Sequence, residues 1–339
     1  MTHTLTGLLL TTAAAFFAAS TVIIGGPLAA QAAQLPANEY ETFTLSATGA
    51  TYLSPTKLTE VTGASVTIND IIKPESNSSY PSLDLWKVSE ITEDTTRHQQ
   101  LEPETRILVF DHDTAELINC CNGNINGNGL ILQSGIAGYA FPVGTAKQTY
   151  QVFDTVTDAP EPATYTGTDT VGGIPVYVFA ENLTAVKAGT SALSPTRTQL
   201  YTVHRLYWVD PETGLVLKMS EDEDLYLAGN GPARTTLLKA SLTMPAATVA
   251  KLARQDAGHR NRIALWATAR LVCLCLAGVL ALIAAWLLIP WSGRRGGRGR
   301  GGPLPVARPL PPGDRLAPAD EFPRRRQLLP DGQFPPGEQ

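Results

Sequence analysis

The sequence predicts a mainly β protein: an exported antiparallel β-domain built from two related units, flanked by N-terminal and C-terminal transmembrane helices and followed by a disordered tail. Three observations predict it. Between residues 40 and 245, β-branched runs alternate with turn residues every eight to twelve positions. Two apolar runs long enough to cross a bilayer bracket that region. An Asp-centred turn also recurs about a hundred residues apart.

The first apolar run, Leu5–Ile24, contains only apolar residues, Thr and Ser20, and Gly25-Gly26-Pro27 come directly after it. Its length suits a membrane anchor, whereas Ala30-x-Ala32 suits a signal-peptide cleavage site; no basic residue precedes the apolar run. Residues 1–34 therefore read as an anchor or a removed signal, and either one exports the β-rich region. The chain is then two-pass or single-pass in the plasma membrane.

Strand patterning fills residues 35–245. Ala64–Ile72, Ser82–Thr92, Arg106–Phe110, Ile174–Ala180, Gln199–Val209 and Leu215–Asp222 carry the Val, Ile, Thr and Tyr alternation of half-buried antiparallel strands. In Asp210-Pro211-Glu212-Thr213-Gly214, Pro211 suits a type I turn, Gly214 supplies a positive φ, and Asp210 can close an Asx turn. Placing Arg106 on Arg205 puts Asp111 on Asp210, Asp113 on Glu212 and Thr114 on Thr213. A second match, Val61–Ile68 on Val171–Val178, has an offset of 110. Together they predict two units, about 40–135 and 136–245, each burying a face against the other or a helix.

Pro245–Gln255 opens with Pro and is rich in helix formers, so 246–262 reads as a juxtamembrane helix. Residues 263–291 read as the second span, because Leu271–Trp291 holds 21 residues without a charge and is flanked by Trp266, Trp286 and Trp291. Arg294, Arg295, Arg298 and Arg300 come at once after it, which places the tail, 292–339, in the cytoplasm by the positive-inside rule. That tail is rich in Gly, Pro and Arg, too poor in apolar groups to fold. Its Arg-Gly-Gly pattern reads as a topology signal rather than a nucleic-acid site. Charge divides the same way: net −10 over 35–262 against net +4 over 291–339.

Cys120-Cys121 are the two cysteines of the exported part; they form a vicinal bridge, link two chains or stay free. Asp111-His112-Asp113 has metal-ligand residue types, but the match to Asp210 assigns it to turn chemistry. Glu221-Asp222-Glu223-Asp224 reads as a solvated strand edge, and His204 as outward-facing. Nucleophile-elbow, zincin, P-loop and dinucleotide motifs are all missing, so no enzyme, cofactor or metal is expected.

Three runs, Tyr139–Asp154, Pro162–Phe179 and Tyr207–Lys218, in that order, resemble the actinobacterial PorA-type porin family. The resemblance covers roughly residues 5–290 and implies an apolar N-terminal segment, an exported β-rich domain and a C-terminal span. It implies no catalytic residue. The strands read as shorter than the nine to eleven residues of a membrane barrel, so a pore would need an oligomer of helices. The expected function is a non-enzymatic cell-envelope protein binding an apolar envelope ligand or a partner protein. The alternative is an oligomeric channel component.

Overall fold

A computed structural model describes residues 2–25, 41–75, 82–190, 197–228 and 234–288. The Ala30–Ala32 motif, Trp291, the four topology arginines and the tail lie outside the described residues.

Helix α1 (Thr2–Ile23) precedes eleven strands: β1 (Glu41–Leu53), β2 (Glu60–Glu75), β3 (Leu83–Asp94), β4 (Gln99–Asp111), β5 (Asn124–Ile125), β6 (Thr149–Asp154), β7 (Ala159–Val171), β8 (Ile174–Thr190), β9 (Thr198–Val209), β10 (Val216–Leu227) and β11 (Thr235–Thr243). Helix α2 (Ala246–Leu288) ends the described chain. All eleven strands form one sheet in the order β5-β4-β3-β2-β1-β11-β10-β9-β8-β7-β6, antiparallel throughout. The chain walks outward from β1, crosses, and walks back to β11.

The two edges of this sheet do not stay open. Leu117 pairs with Phe110 of β4, Glu116 pairs with Ile136, and Ile136 pairs with Val152 of β6. Backbone bonds of 2.7 Å from Leu117 to Gly135 and 2.8 Å from Phe153 to Ile136 complete the bridge. The sheet is thereby curled into a ring, which satisfies edge groups that would otherwise invite another strand.

Inward positions obey the strand alternation. Val66, Asp70 and Ile72 of β2, Trp86 and Val88 of β3, Arg106, Leu108 and Phe110 of β4, and Tyr201, Val203, Tyr207 and Val209 of β9 are buried. Most strands run 12 to 17 residues, longer than the sequence suggests. Gly49 and Gly63 take positive φ of 77° and 68° inside β1 and β2. Pro103 sits within β4 opposite Ile91. A glycine at a bulge bends a strand without ending it.

The expected juxtamembrane helix and second span are one continuous helix of 43 residues. Its first turns bury Leu252, Ala253, Asp256 and His259, a single stripe at helical spacing, against one end of the ring. Gly172, in the β7–β8 turn, meets Ala253 there. Further along, Leu288 lies against Gly7 and Arg270 against Gly25, so α1 and α2 run antiparallel. Both helices are long and apolar enough to cross a membrane.

The match of Val61–Ile68 to Val171–Val178 fails. The first lies inside β2, whereas the second rounds the β7–β8 turn, where Gly172 and Gly173 have φ of 58° and 86°. If β4 is matched to β9, as the Asp111 and Asp210 turns suggest, then β3, not β2, falls opposite β8.

Candidate functional site

The interior of the ring is polar at its middle. Arg106, on β4, lies 3.1 Å from Asp70 of β2, 2.5 Å from Glu90 of β3 and 3.1 Å from Glu104 on its own strand. Arg205, on β9, donates to Asp154 of β6 and Glu181 of β8 at 3.1 Å, and to Glu221 of β10 at 2.7 Å. Tyr201 and Tyr207 complete the second cluster, their hydroxyls donating to Glu221 at 3.0 Å and Glu181 at 2.8 Å. The Arg106 guanidinium also stands 5.9 Å from the Tyr139 ring centre.

Both clusters face one cavity of about 120 Å³, which five carboxyls (Asp70, Glu90, Asp154, Glu221, Glu223) and these two guanidiniums line. Acids outnumber bases, and burial penalises every charge left unpaired. Burial raises Asp70 and Glu181 against the lowering effect of their arginines. Burial, opposed by Arg106 and assisted by Asp70 and Glu104, carries Glu90 up to about 8. Glu223 rises well above its ordinary value through burial and the nearby Glu221.

Of the four consecutive acids read as a solvated edge, Glu221 and Glu223 are buried in this interior, while Asp222 is exposed. The reading fails because β10 is not an edge: β9 and β11 flank it. His204 is exposed, as alternation requires, with Asn182 beside it.

At the end of the ring where α2 docks, the Asp210 turn forms a second polar cluster. Asp210 accepts from the Glu212 backbone at 2.9 Å, and Gly214 has a φ of 77°. Arg260 of α2 donates to both Asp210 oxygens at 2.9 Å and to Glu212 at 2.8 Å, and the Thr213 hydroxyl donates to Asp256. Asp210 and Asp256 are fully buried. Burial and the shared bond with Asp210 push Asp256 up to about 7.

Beside this latch, Phe43, Ile72, Trp86, Leu217, Leu252 and neighbouring residues line an apolar seam with a cavity of about 30 Å³.

Among the described residues, no helix arginine clasps the twin Asp111 turn as Arg260 clasps Asp210. Asp111 accepts from the Asp113 and Thr114 backbone at 3.0 and 2.9 Å, and Ala115 takes a φ of 59° where Gly214 stands in the twin. The same device closes two further turns at the far end of the ring. Asp94 bonds the Thr96 and Arg97 backbone, with His98 at φ 51°, and Asp154 bonds Val156 and Thr157, with Asp158 at φ 55°. The repeated signal, an Asp four residues before a left-handed position, is readable as D-T-T-R-H and D-T-V-T-D but carries no glycine to mark it. Cys120 is bonded to Cys121, on a turn where Cys121 has a φ of 58°. Among the described residues, no group of three or more His, Cys, Asp or Glu side chains is set to hold a metal ion directly.

A curled antiparallel sheet, plugged at one end by a long helix that pairs with a second apolar helix, defines a membrane-associated β protein with a polar, ion-paired interior. A family model described as Porin PorA matches residues 6–286, and the chain belongs to that family. No curated protein matches it significantly.

Proposed function

We propose that this porin-like envelope protein is a non-enzymatic body standing in water on the extracytoplasmic side, anchored by α1 and α2. On this reading it takes an apolar envelope component or a partner protein at the seam where α2 meets the ring. The distribution of apolar surface supports it. Among the described residues, the exposed large apolar side chains of the sheet region are Leu58, Ile118, Leu130 and Leu132, and none of them lies in a strand. The others stand on α1 and α2, among them Leu9, Phe16, Leu271, Leu282 and Trp286. A barrel spanning lipid needs an outward apolar band, which these strands lack. The cavity at the centre is polar and small, so an acyl-type ligand fits the apolar seam instead, once α2 lifts from it.

A cysteine placed at Thr184, exposed on β8, tests the orientation. A membrane-impermeant maleimide labels it on intact cells if the reading holds, and labels it only after lysis if the body faces inward. Mass spectrometry of the full-length protein from native membranes tests the ligand, with a retained apolar molecule lost on substituting Leu252→Asp as the expected result. A clean protein mass in every preparation overturns that half.

The family description favours a second reading, in which several copies assemble their helix pairs into a channel. Two helices per copy cannot enclose a pore alone. Planar-bilayer recordings of the full-length protein decide it, with stepwise conductance expected and silence at all concentrations against it.

A further inference from the structure

The polar cavity inside the ring is an unassigned feature of this chain, and one of its walls carries an unpartnered acceptor. Glu223 of β10 is 9% exposed, lines the cavity, and keeps Oε1 buried without a hydrogen-bond partner. A buried carboxylate oxygen without a donor is costly, and native interiors rarely leave one so. The two arginines of the cavity are directed at other carboxylates. Arg205 is already spread over Asp154, Glu181, Glu221 and Tyr201, and Arg106 over Asp70, Glu90 and Glu104.

Opposite Glu223, Asp70 and Glu90 approach from β2 and β3, strands that β1 and β11 separate from β10 along the sheet. Carboxyls from distant strands thus converge across the ring. The cavity offers about 120 Å³, against the 10–15 Å³ or so that one water requires, so several waters fit together. Direct coordination by three side chains is not set up among the described residues. The chemistry that fits is therefore a divalent cation that keeps part of its water shell, with those waters donating to the carboxylates. Magnesium, which dehydrates reluctantly and is held through few carboxylates, has that character.

We infer that the ring interior binds one hydrated divalent cation of the magnesium type between Glu223 and Glu221 on β10 and Asp70 and Glu90 on β2 and β3. The ion clasps strands that share no ladder and offsets the excess of acids over arginines. Its stabilising effect is greatest where these carboxyls are ionised, because protons compete for the same oxygens.

The test uses the full-length protein in detergent with magnesium chloride, against sodium chloride at equal ionic strength. Isothermal titration is expected to show one saturable site per chain, with the melting temperature rising by several degrees over the same concentration range. Glu223→Gln is expected to weaken that binding tenfold or more, whereas Asp222→Asn, one residue away on the outer face, leaves it unchanged. Absence of a one-to-one isotherm in the unsubstituted protein overturns the inference whatever the variants do. So does an unaltered isotherm in Glu223→Gln, or an equal loss in Asp222→Asn.

Discussion

Arg106 of β4 and Arg205 of β9 both reach into the ring interior, yet their surroundings differ. Arg205 is flanked along the sheet by acids on both sides, Glu181 of β8 and Glu221 of β10. Arg106 is flanked by Val88 of β3 and Ile125 of β5, and reaches its carboxylates diagonally at Glu90, along its own strand at Glu104, and across to Asp70 two strands away. The acids of the second cluster are also the drier: Glu181 and Asp154 side chains are 0% and 1% exposed, against 24% and 19% for Glu90 and Glu104. One half pairs its arginine with acids on both adjacent strands and adds Asp154 from β6 across the ring. The other spreads its charge and leaves some in reach of water. Two arginines that face the same interior can thus differ in what they contribute to stability.

That contrast is open to measurement, and the largest effect falls on the second cluster. Arg205→Met strands three buried carboxylates and is expected to cost about 3–5 kcal/mol of stability, the range for a broken buried pair. Arg106→Met costs less, about 2–3 kcal/mol, because Glu90 and Glu104 can hydrate. Denaturant melts of the two variants in one detergent give the order, and an inverted order breaks the comparison.

The twin turns come next. Gly214→Ala adds a Cβ at positive φ against the Phe141 carbonyl oxygen and is expected to cost about 3 kcal/mol, strain and overlap together. Ala115→Gly, at the equivalent corner, relieves a φ of 59° while adding chain entropy, so its melt should move by less than about 0.5 kcal/mol.

A smaller effect separates the turns by pH. Asp256 has a docked value near 7 against an ordinary 3.8. Docked α2 therefore binds a proton that released α2 does not hold, and docking strengthens as pH falls from about 7 towards 4, by at most about 1.4 kcal/mol per unit. Amide protection at residues 210–215, taken relative to the intrinsic exchange rate at each pH, should rise on acidification and lose that response in Asp256→Asn. Protection at 111–116, on the same scale, should stay constant.

How much of this is legible in the sequence varies by element. The β class, both apolar helices and the Asp210 turn come from local pattern, since turn chemistry and hydropathy need only neighbouring residues. The two clusters do not. Arg106 and Arg205 align as markers of a repeat, with nothing to say that they face inward. Glu221 and Glu223 look like an edge because four acids in a row favour water, and only the order of strands, a long-range property, buries two of them. The closure of the ring through 116–118 and 135–137 is also hidden, since pairs of single residues leave no periodic trace. The Asp94 and Asp154 turns escape a sequence reading because His98 and Asp158 occupy the left-handed corner where glycine would have signalled it.

The unbroken run of α2 has a mechanical consequence. At 43 residues it is about 65 Å long, roughly twice the hydrocarbon thickness of a bilayer. With no hinge between lipid and protein body, it acts as a rigid lever. A tilt change of about 10°, such as a thinner bilayer imposes, swings an arm of roughly 25 Å by about 4 Å at the Asp210 latch. If α2 spans the membrane as proposed, bilayer thickness is thereby converted into displacement at the mouth of the ring.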